Sequence, residues 1–139
     1  YGMDVLLSDG TLNRQRLGEI VFNNSTEREW LEQQIHPYVR DRFQSELKTL
    51  VAPTVVLVVP LLFEAGMTEL VTEIWVVSCS PEQQIERMIE RDRLSLEQAQ
   101  ARLNSQLPIQ DKIARADVVL DNSSTLDALL KQVDVALGL

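Results

Sequence analysis

The chain has 139 residues, 45% of them hydrophobic, and a formal net charge of −8 at pH 7. This length and composition are typical of one globular domain, and the acidic balance argues against a general binder of nucleic acids or membrane surfaces. The single cysteine, Cys79, excludes an intrachain disulfide and a cysteine-based zinc site. We therefore expect no nucleic-acid partner, no membrane association and a cytoplasmic location.

The first fifty residues are predicted to be helical. The turn "SDGT" precedes a helical pattern containing Leu17, Ile20 and Val21. Ser25 or Thr26 can then cap a second, longer amphipathic helix, which Pro37 should kink or split.

The character of the sequence changes after residue 50. Three β-branched, apolar runs cover Thr54 to Val59, Glu73 to Cys79 and Ala116 to Asp121. Runs of this kind are typical of strands buried on both faces of a parallel sheet.

Helices are predicted between and after these strands. "SPEQ" at Ser80 and "SLEQ" at Ser95 each carry the capping-box pattern, and leucines and a valine recur on one face after Leu126. The alternation predicts an α/β fold with a mainly parallel sheet. An all-helical alternative would have to explain the three β-branched runs.

Ligands of open parallel sheets bind beyond the carboxyl ends of the strands, which directs attention to three segments. After the first predicted strand come Pro60, Leu61, Leu62, Phe63 and Glu64. They form either an apolar turn continuing into the core or a substrate wall in which Glu64 acts as an acid or a hydrogen-bond acceptor. After the third predicted strand, Asn122 lies in "DNSS", which is either turn chemistry or a polar contact for a base or ribose.

An arginine cluster follows the second predicted strand. Arg87 and Arg91 lie four residues apart, so they share one face of a helix and repel each other. The cluster is either a solvated charged face or a phosphate clamp, because guanidinium groups bind phosphate oxygens in bidentate fashion. "RDRLS" reads as a joint between two helices, which would let the cluster move as a lid.

Other candidates are weaker. His36 has no second His or Cys at metal-ligand spacing, so a structural or surface histidine is favoured over a ligand, and we predict no metal site. Cys79 ends a predicted strand, where a small apolar thiol is the better interpretation.

Taken in order, several motifs resemble the dephospho-coenzyme A kinase family. They are "DGTLNRQRLGEIVF", "HPYVR", "VVPLLFEAG", "WVVSCSPEQQIERMIERDRLSLEQAQARL", "SQLP" and "ARADVVLDNSSTLDAL". The resemblance implies a three-layer, parallel-sheet P-loop kinase fold in one incomplete domain. It also implies a helical substrate-side subdomain at 11–52, a core at 54–90 and 116–139, and an arginine-bearing lid at 91–115.

The resemblance further implies a function. Members transfer the γ-phosphoryl of ATP, with Mg²⁺, to the ribose 3′-hydroxyl of 3′-dephospho-coenzyme A, the last step of coenzyme A synthesis. By this resemblance Arg91 and Arg87 stabilise phosphate charge, and Arg91, Arg115 and Asn122 bind ATP. Pro60 to Glu64 and His36 would border the acceptor, and we expect a monomer. The alternatives are another nucleotide or small-molecule P-loop kinase and a non-catalytic binding fragment.

The chain departs from the family pattern in one large respect. No G-x-x-x-x-G-K-[ST] loop occurs in residues 1–139, and the family's catalytic-base aspartate has no match. We therefore expect the chain, which begins at Tyr1, to be a fragment lacking the N-terminal part and the central first strand of the sheet. Such a fragment should be inactive alone and poorly stable, because two inner strand edges would be unpaired.

Overall fold

A computed structural model describes all of residues 1–139 and divides them into two compact units, Tyr1–Leu50 and Val51–Leu139. The N-terminal unit contains a 3₁₀ helix, Gly2–Val5, followed by α1, Arg14–Asn23, and α2, Ser25–Thr49. The side chain of Asn13 caps α1 by accepting a hydrogen bond from the Arg16 N–H. Helix α1 packs on α2, and the buried apolar side chains of this unit are Val5 and Val21.

Helix α2 differs from its prediction at two points. Its N-cap is Asn24, whose side chain accepts hydrogen bonds from the N–H groups of Thr26 and Glu27, so the predicted cap at Ser25 or Thr26 is wrong. The helix also continues through Pro37 without a break, so a split is excluded. Proline removes one backbone donor, and here the hydrogen bonds of the turns on either side are enough to keep the helix continuous.

The C-terminal unit is an α/β arrangement. Its elements are a 3₁₀ helix, Thr68–Leu70, then β1, Trp75–Ser78; α3, Pro81–Asp92; α4, Leu96–Asn104; α5, Ile109–Ile113; β2, Val118–Asp121; and α6, Leu126–Leu137. Strands β1 and β2 form a parallel pair whose register runs from Trp75–Val118 to Ser78–Asp121. Both strands and the helices α3, α4 and α6 were predicted from the sequence, whereas α5 was not, and the parallel direction of the strands is confirmed.

The predicted strand at Thr54 to Val59 is wrong for this structure, because these residues form no strand. Val56 and Val58 are 80% and 81% exposed. A strand exists only beside a neighbour that accepts its backbone hydrogen bonds, and no segment of residues 1–139 pairs with this one. Residues 54–59 have the apolar side chains of a buried strand, but their backbone has no neighbouring strand to pair with.

Both faces of the small sheet are partly covered. Val76 pairs with Val119 in the register, so the buried Leu120, one residue further on, points to the face opposite the buried Val76. Helix α5 packs on β1 and α6 packs on β2. Met67 and Ala99 complete the buried apolar set of this unit. No helix of the structure combines the length and the apolar character needed to cross a bilayer.

Candidate functional site

A cavity of about 590 Å³ opens beyond the carboxyl end of β1. Cys79, which follows the strand, lies in its wall together with Arg87 and Arg91 of α3. The remaining lining residues come from α3 and from the region of α4: Gln84, Met88, Glu90, Leu103 and Gln106. The cavity therefore lies where an open parallel sheet binds its ligand, and two guanidinium groups reach it.

The start of α3 explains why both arginines reach this cavity. Ser80 and Gln83 form the predicted capping box, and Pro81 occupies the first helical position. This cap fixes the start of the helix directly after β1, and the spacing of four residues then places Arg87 and Arg91 one turn apart on the cavity side.

Arg87 connects the two strand ends. Its Nη2 donates a hydrogen bond of 2.9 Å to the carbonyl oxygen of Asn122, in the loop after β2. The Asn122 N–H in turn donates to the carbonyl oxygen of Ser78, at the end of β1, over 2.7 Å. The amide of Gln83 adds a second link, because its Nε2 donates to the carbonyl oxygen of Ser123 over 2.8 Å. The loops after both strands are thus held together from α3.

Arg91 is bound by the neighbouring Asp92. Nε and Nη2 of Arg91 lie 2.8 Å and 3.0 Å from the two carboxylate oxygens of Asp92. The hydrogen bonds from Arg91 are the main reason that the pKa of Asp92 is lowered, and the same carboxylate raises the pKa of Arg91. The Arg91 side chain is 70% exposed, so its charge faces solvent and the cavity mouth.

The predicted joint between α3 and α4 is present. Arg93 ends α3 in the left-handed conformation, with φ of 54°, and is the only non-glycine residue with positive φ. Ser95 then begins α4 with a second capping box, completed by Gln98. The chain therefore turns sharply within three residues, next to the arginines that line the cavity.

Residues 60–66, which follow the run at Thr54 to Val59, fold into a turn that backbone hydrogen bonds close. The Met67 N–H donates to the Leu62 carbonyl oxygen, and the Gly66 N–H donates to that of Phe63. Gly66 has φ of +59°, the left-handed value that this type of helical end requires. The sequence "PLLFEAG" thus forms a turn with Leu61, Leu62, Phe63 and Glu64 half-buried and Pro60 exposed.

Two charged contacts hold this turn against the segment before β2. Glu64 Oε1 lies 2.8 Å from Lys112 Nζ and also accepts the Leu107 N–H over 3.1 Å. The guanidinium carbon of Arg115 lies 4.3 Å from the centre of the Phe63 ring, in cation–π geometry. Sequence reasoning missed the partnership with Lys112, because Glu64 and its partners are separated by more than forty residues and no local pattern links them.

His36 lies in α2, within the N-terminal unit, and is half-buried. The side chains form no group of three or more His, Cys, Asp or Glu residues that could hold a metal ion.

The parallel strands, the cavity at their carboxyl end and the arginines in its wall define an α/β protein of the class that binds phosphate-bearing ligands. Residues 1–128 match the model of the family described as CoaE, dephospho-CoA kinase. The chain belongs to the dephospho-CoA kinase family.

Individual relatives agree with this assignment. A dephospho-CoA kinase of Trichormus variabilis is 63% identical over 99% of this chain, which spans 70% of that relative's length. One from Synechocystis is 54% identical over 96% of the chain, which spans 67% of the relative. The chain thus matches about two thirds or slightly more of each relative's length.

Solved structures show the same fold. The crystal structure of TT1252 from Thermus thermophilus is similar with a TM-score of 0.75 and 33% identity, over 98% of this chain and 71% of that one. A dephospho-CoA kinase from Campylobacter jejuni is similar with a TM-score of 0.56 and 32% identity, over 96% of this chain and 68% of that one. The expected P-loop kinase fold is thereby confirmed, although the described sheet has only two strands.

Proposed function

We propose that the full-length protein is a dephospho-CoA kinase, which transfers the γ-phosphoryl of ATP to the ribose 3′-hydroxyl of 3′-dephospho-coenzyme A. The products are coenzyme A and ADP. The observation that carries the proposal beyond family membership is the position of Arg87 and Arg91 in the wall of one cavity, at the carboxyl end of β1.

Phosphoryl transfer depends mainly on the positioning of the two reactants and on positive charge beside the transferred phosphoryl group. The 3′-oxygen attacks the γ-phosphorus, the bond from that phosphorus to the β–γ bridging oxygen breaks, and the hydroxyl proton passes to a base. Charge spreads over the transferred phosphoryl, so a guanidinium group that meets it in the transition state lowers the barrier. Arg91 suits this task because its side chain is largely exposed at the cavity mouth. Its bidentate partner is the adjacent carboxylate of Asp92, with which a ligand's phosphate would compete.

Arg87 serves a different part of the reaction. Its Nη2 is engaged with the Asn122 carbonyl, so it supports the loop that we place beside the adenine of ATP, while its charge adds to the field in the cavity. Arg115 lies further along the same segment, against Phe63. We assign it a contact with ATP only after that stacking contact is released.

We propose that the acceptor binds along the turn Pro60 to Glu64. For His36, in the helical unit, a contact with the acceptor stays a prediction from the family resemblance. Glu64 is the member of this set with defined polar contacts, and its second oxygen, Oε2, is buried without a hydrogen-bond partner. The lid is the segment 91–115, and it carries Arg91 at its start. We further propose that the protein is a monomer, that it binds Mg²⁺ together with ATP, and that it acts in the cytoplasm.

Catalysis also needs a phosphate-binding loop and a base that residues 1–139 do not contain. The decisive experiment compares the full-length protein with residues 1–139 alone. ATP, Mg²⁺ and dephospho-coenzyme A are supplied, and coenzyme A is measured by mass spectrometry, with AMP and adenosine as competing acceptors. We expect coenzyme A from the full-length protein and none from residues 1–139. Preferential phosphorylation of AMP or adenosine would replace the proposed acceptor, and product from residues 1–139 would refute the need for the absent loop.

A further inference from the structure

Gln132, in α6, holds the end of β2 through its side-chain amide. The Asp121 N–H donates to Gln132 Oε1 over 2.8 Å, and Gln132 Nε2 donates to the Asp121 carbonyl oxygen over 2.9 Å. Nε2 also donates to the carbonyl oxygen of Ala128 in the same helix, over 3.2 Å, which fixes the orientation of the amide. Gln132 thus pairs with both backbone groups of Asp121, as a residue of a neighbouring antiparallel strand would.

Ser123, in the loop that follows, is also held at both of its backbone groups. Its N–H donates to Asp121 Oδ1 over 2.8 Å, and its carbonyl oxygen accepts from Gln83 Nε2 over 2.8 Å. The position of Asp121, which Gln132 sets, therefore also determines where the Ser123 backbone lies. Displacing this segment would break several hydrogen bonds at once, so the start of the loop has little freedom.

Asn122 lies between these two residues and combines a fixed backbone with an open side chain. Its N–H donates to the Ser78 carbonyl oxygen, and its own carbonyl oxygen accepts from Arg87, which lines the cavity. Its side chain is half-buried and makes no hydrogen bond in the structure. This amide can offer a ligand one acceptor oxygen and two N–H donors.

An open side-chain amide can distinguish adenine from purines that carry oxygen at position 6. The N6/N7 edge of adenine presents one donor and one acceptor, which an asparagine amide matches with two hydrogen bonds. A 6-oxo purine presents two acceptors on the same edge, so the amide oxygen finds no donor there. The donor to the base falls to the Asn122 side chain, because the backbone N–H groups of Asn122 and Ser123 are already engaged.

We propose that Gln132 is a positioning residue that sets the base specificity of the protein. By fixing Asp121, it orients the Asn122 amide toward the N6/N7 edge of adenine, so that ATP is preferred to a 6-oxo nucleotide such as ITP. Gln132 acts through Asn122 and has no contact with the nucleotide. The inference rests on the proposed function, which places the loop after β2 beside the adenine of ATP.

Kinetics of the full-length protein test this through Gln132→Leu, which removes both hydrogen bonds to Asp121 with little change in side-chain volume. The measured quantity is kcat/KM for ATP divided by kcat/KM for ITP, with dephospho-coenzyme A as the acceptor. We expect a ratio of about ten or more in the wild type and about three or less in the variant. A loss of folded protein would lower both values equally and leave the ratio unchanged. A wild type that uses ATP and ITP equally well would overturn the proposal.

A second variant and a matched control accompany this measurement. Gln132→Asn keeps an amide but shortens the side chain by one methylene, so it should also lower the ratio by about threefold or more. Gln100→Leu removes a glutamine of α4 whose Nε2 donates to Asn104 in the same helix, and it should leave the ratio unchanged. A wild-type ratio in both Gln132 variants would overturn the proposal.

Equilibrium binding separates this proposal from the proposed function. ADP and IDP are titrated into the full-length wild type and into Gln132→Leu by calorimetry, with no acceptor present. We expect the wild type to bind ADP about tenfold or more tightly than IDP, and the variant to lose most of this preference. If the wild type makes no coenzyme A, the proposed function fails, and the binding preference still decides the role of Gln132. An equal preference for ADP in the wild type and the variant would overturn that role.

Discussion

Arg102 Nη1 lies 2.7 Å from Asp92 Oδ2, so a side chain of α4 is bound to the last residue of α3 across the joint between them. The same carboxylate holds Arg91 through both of its oxygens. One aspartate thus pairs with two arginines, which leaves the three side chains with a net positive charge. Asp92 also competes for Arg91, which lines the cavity, with any phosphate that enters.

The Asp92 network should make stability depend on pH in a defined direction. Its folded-state pKa lies below the ordinary 3.8, chiefly because Arg91 donates hydrogen bonds to the carboxylate. A lowered pKa stabilises the folded state at pH above the unfolded value, and that stabilisation is lost as pH falls through the folded value. We therefore expect Asp92→Asn to unfold at lower urea concentration than the full-length wild type at pH 7, with the difference shrinking below pH 3.8. A difference that stays the same at all pH values would show that the charge of Asp92 is not its source.

Replacement of Arg91 by alanine should act on rate rather than on stability. Its side chain is 70% exposed and its ion pair is with the adjacent residue, so little folding free energy depends on it. If the guanidinium meets the transferred phosphoryl, kcat in the full-length enzyme should fall by about 10²–10³-fold. Steady-state kinetics and urea unfolding of Arg91→Ala measure the two effects separately. Arg42→Ala, which removes another exposed arginine from an ion pair, is the matched control and should retain normal turnover.

Gly66 should resist substitution although the space around it is empty. A Cβ added there would meet no atom within 4 Å, so any cost of Gly66→Ala comes from the backbone φ of +59°. A side chain in this left-handed region costs about 1–2 kcal/mol. Thermal unfolding of the full-length protein should therefore show a lowered midpoint for Gly66→Ala.

Gly18→Ala provides the opposite case. Gly18 lies inside α1, and an added Cβ would reach ordinary contact, 3.4 Å, with the Phe22 ring. Alanine in a helix interior is favoured over glycine by about 0.5–1 kcal/mol, so the midpoint should rise. A rise for Gly66→Ala, or a fall for Gly18→Ala, would contradict the backbone explanation.

Local chemistry explains what could be predicted from the sequence. Both capping boxes, the joint at Arg93 and the two paired strands follow from residues within a few positions of one another. The cap of α2 was missed because Asn24, Ser25 and Thr26 are all good caps in a row, and propensity does not choose among them.

Non-local pairing explains what could not be predicted. The run at Thr54 to Val59 has the composition of a strand. A strand forms only beside a neighbouring strand, however, and the residues of this run do not reveal whether such a neighbour is present. The same holds for Glu64, whose chemistry was recognised while its partners, Leu107 and Lys112, were not. The roles of the individual site residues in binding and catalysis remain predictions for the experiments above.

The side-chain amide of Gln83 makes two different hydrogen bonds, one through its oxygen and one through its nitrogen. Its Oε1 accepts the Ser80 N–H and completes the start of α3, while its Nε2 donates to the Ser123 carbonyl oxygen. A carboxylate at this position would keep the accepting oxygen and lose the donor. Gln83→Glu would therefore preserve the start of α3 and remove one hydrogen bond between α3 and the loop after β2. This edge of the sheet would loosen, while the helix that carries Arg87 and Arg91 would stay folded.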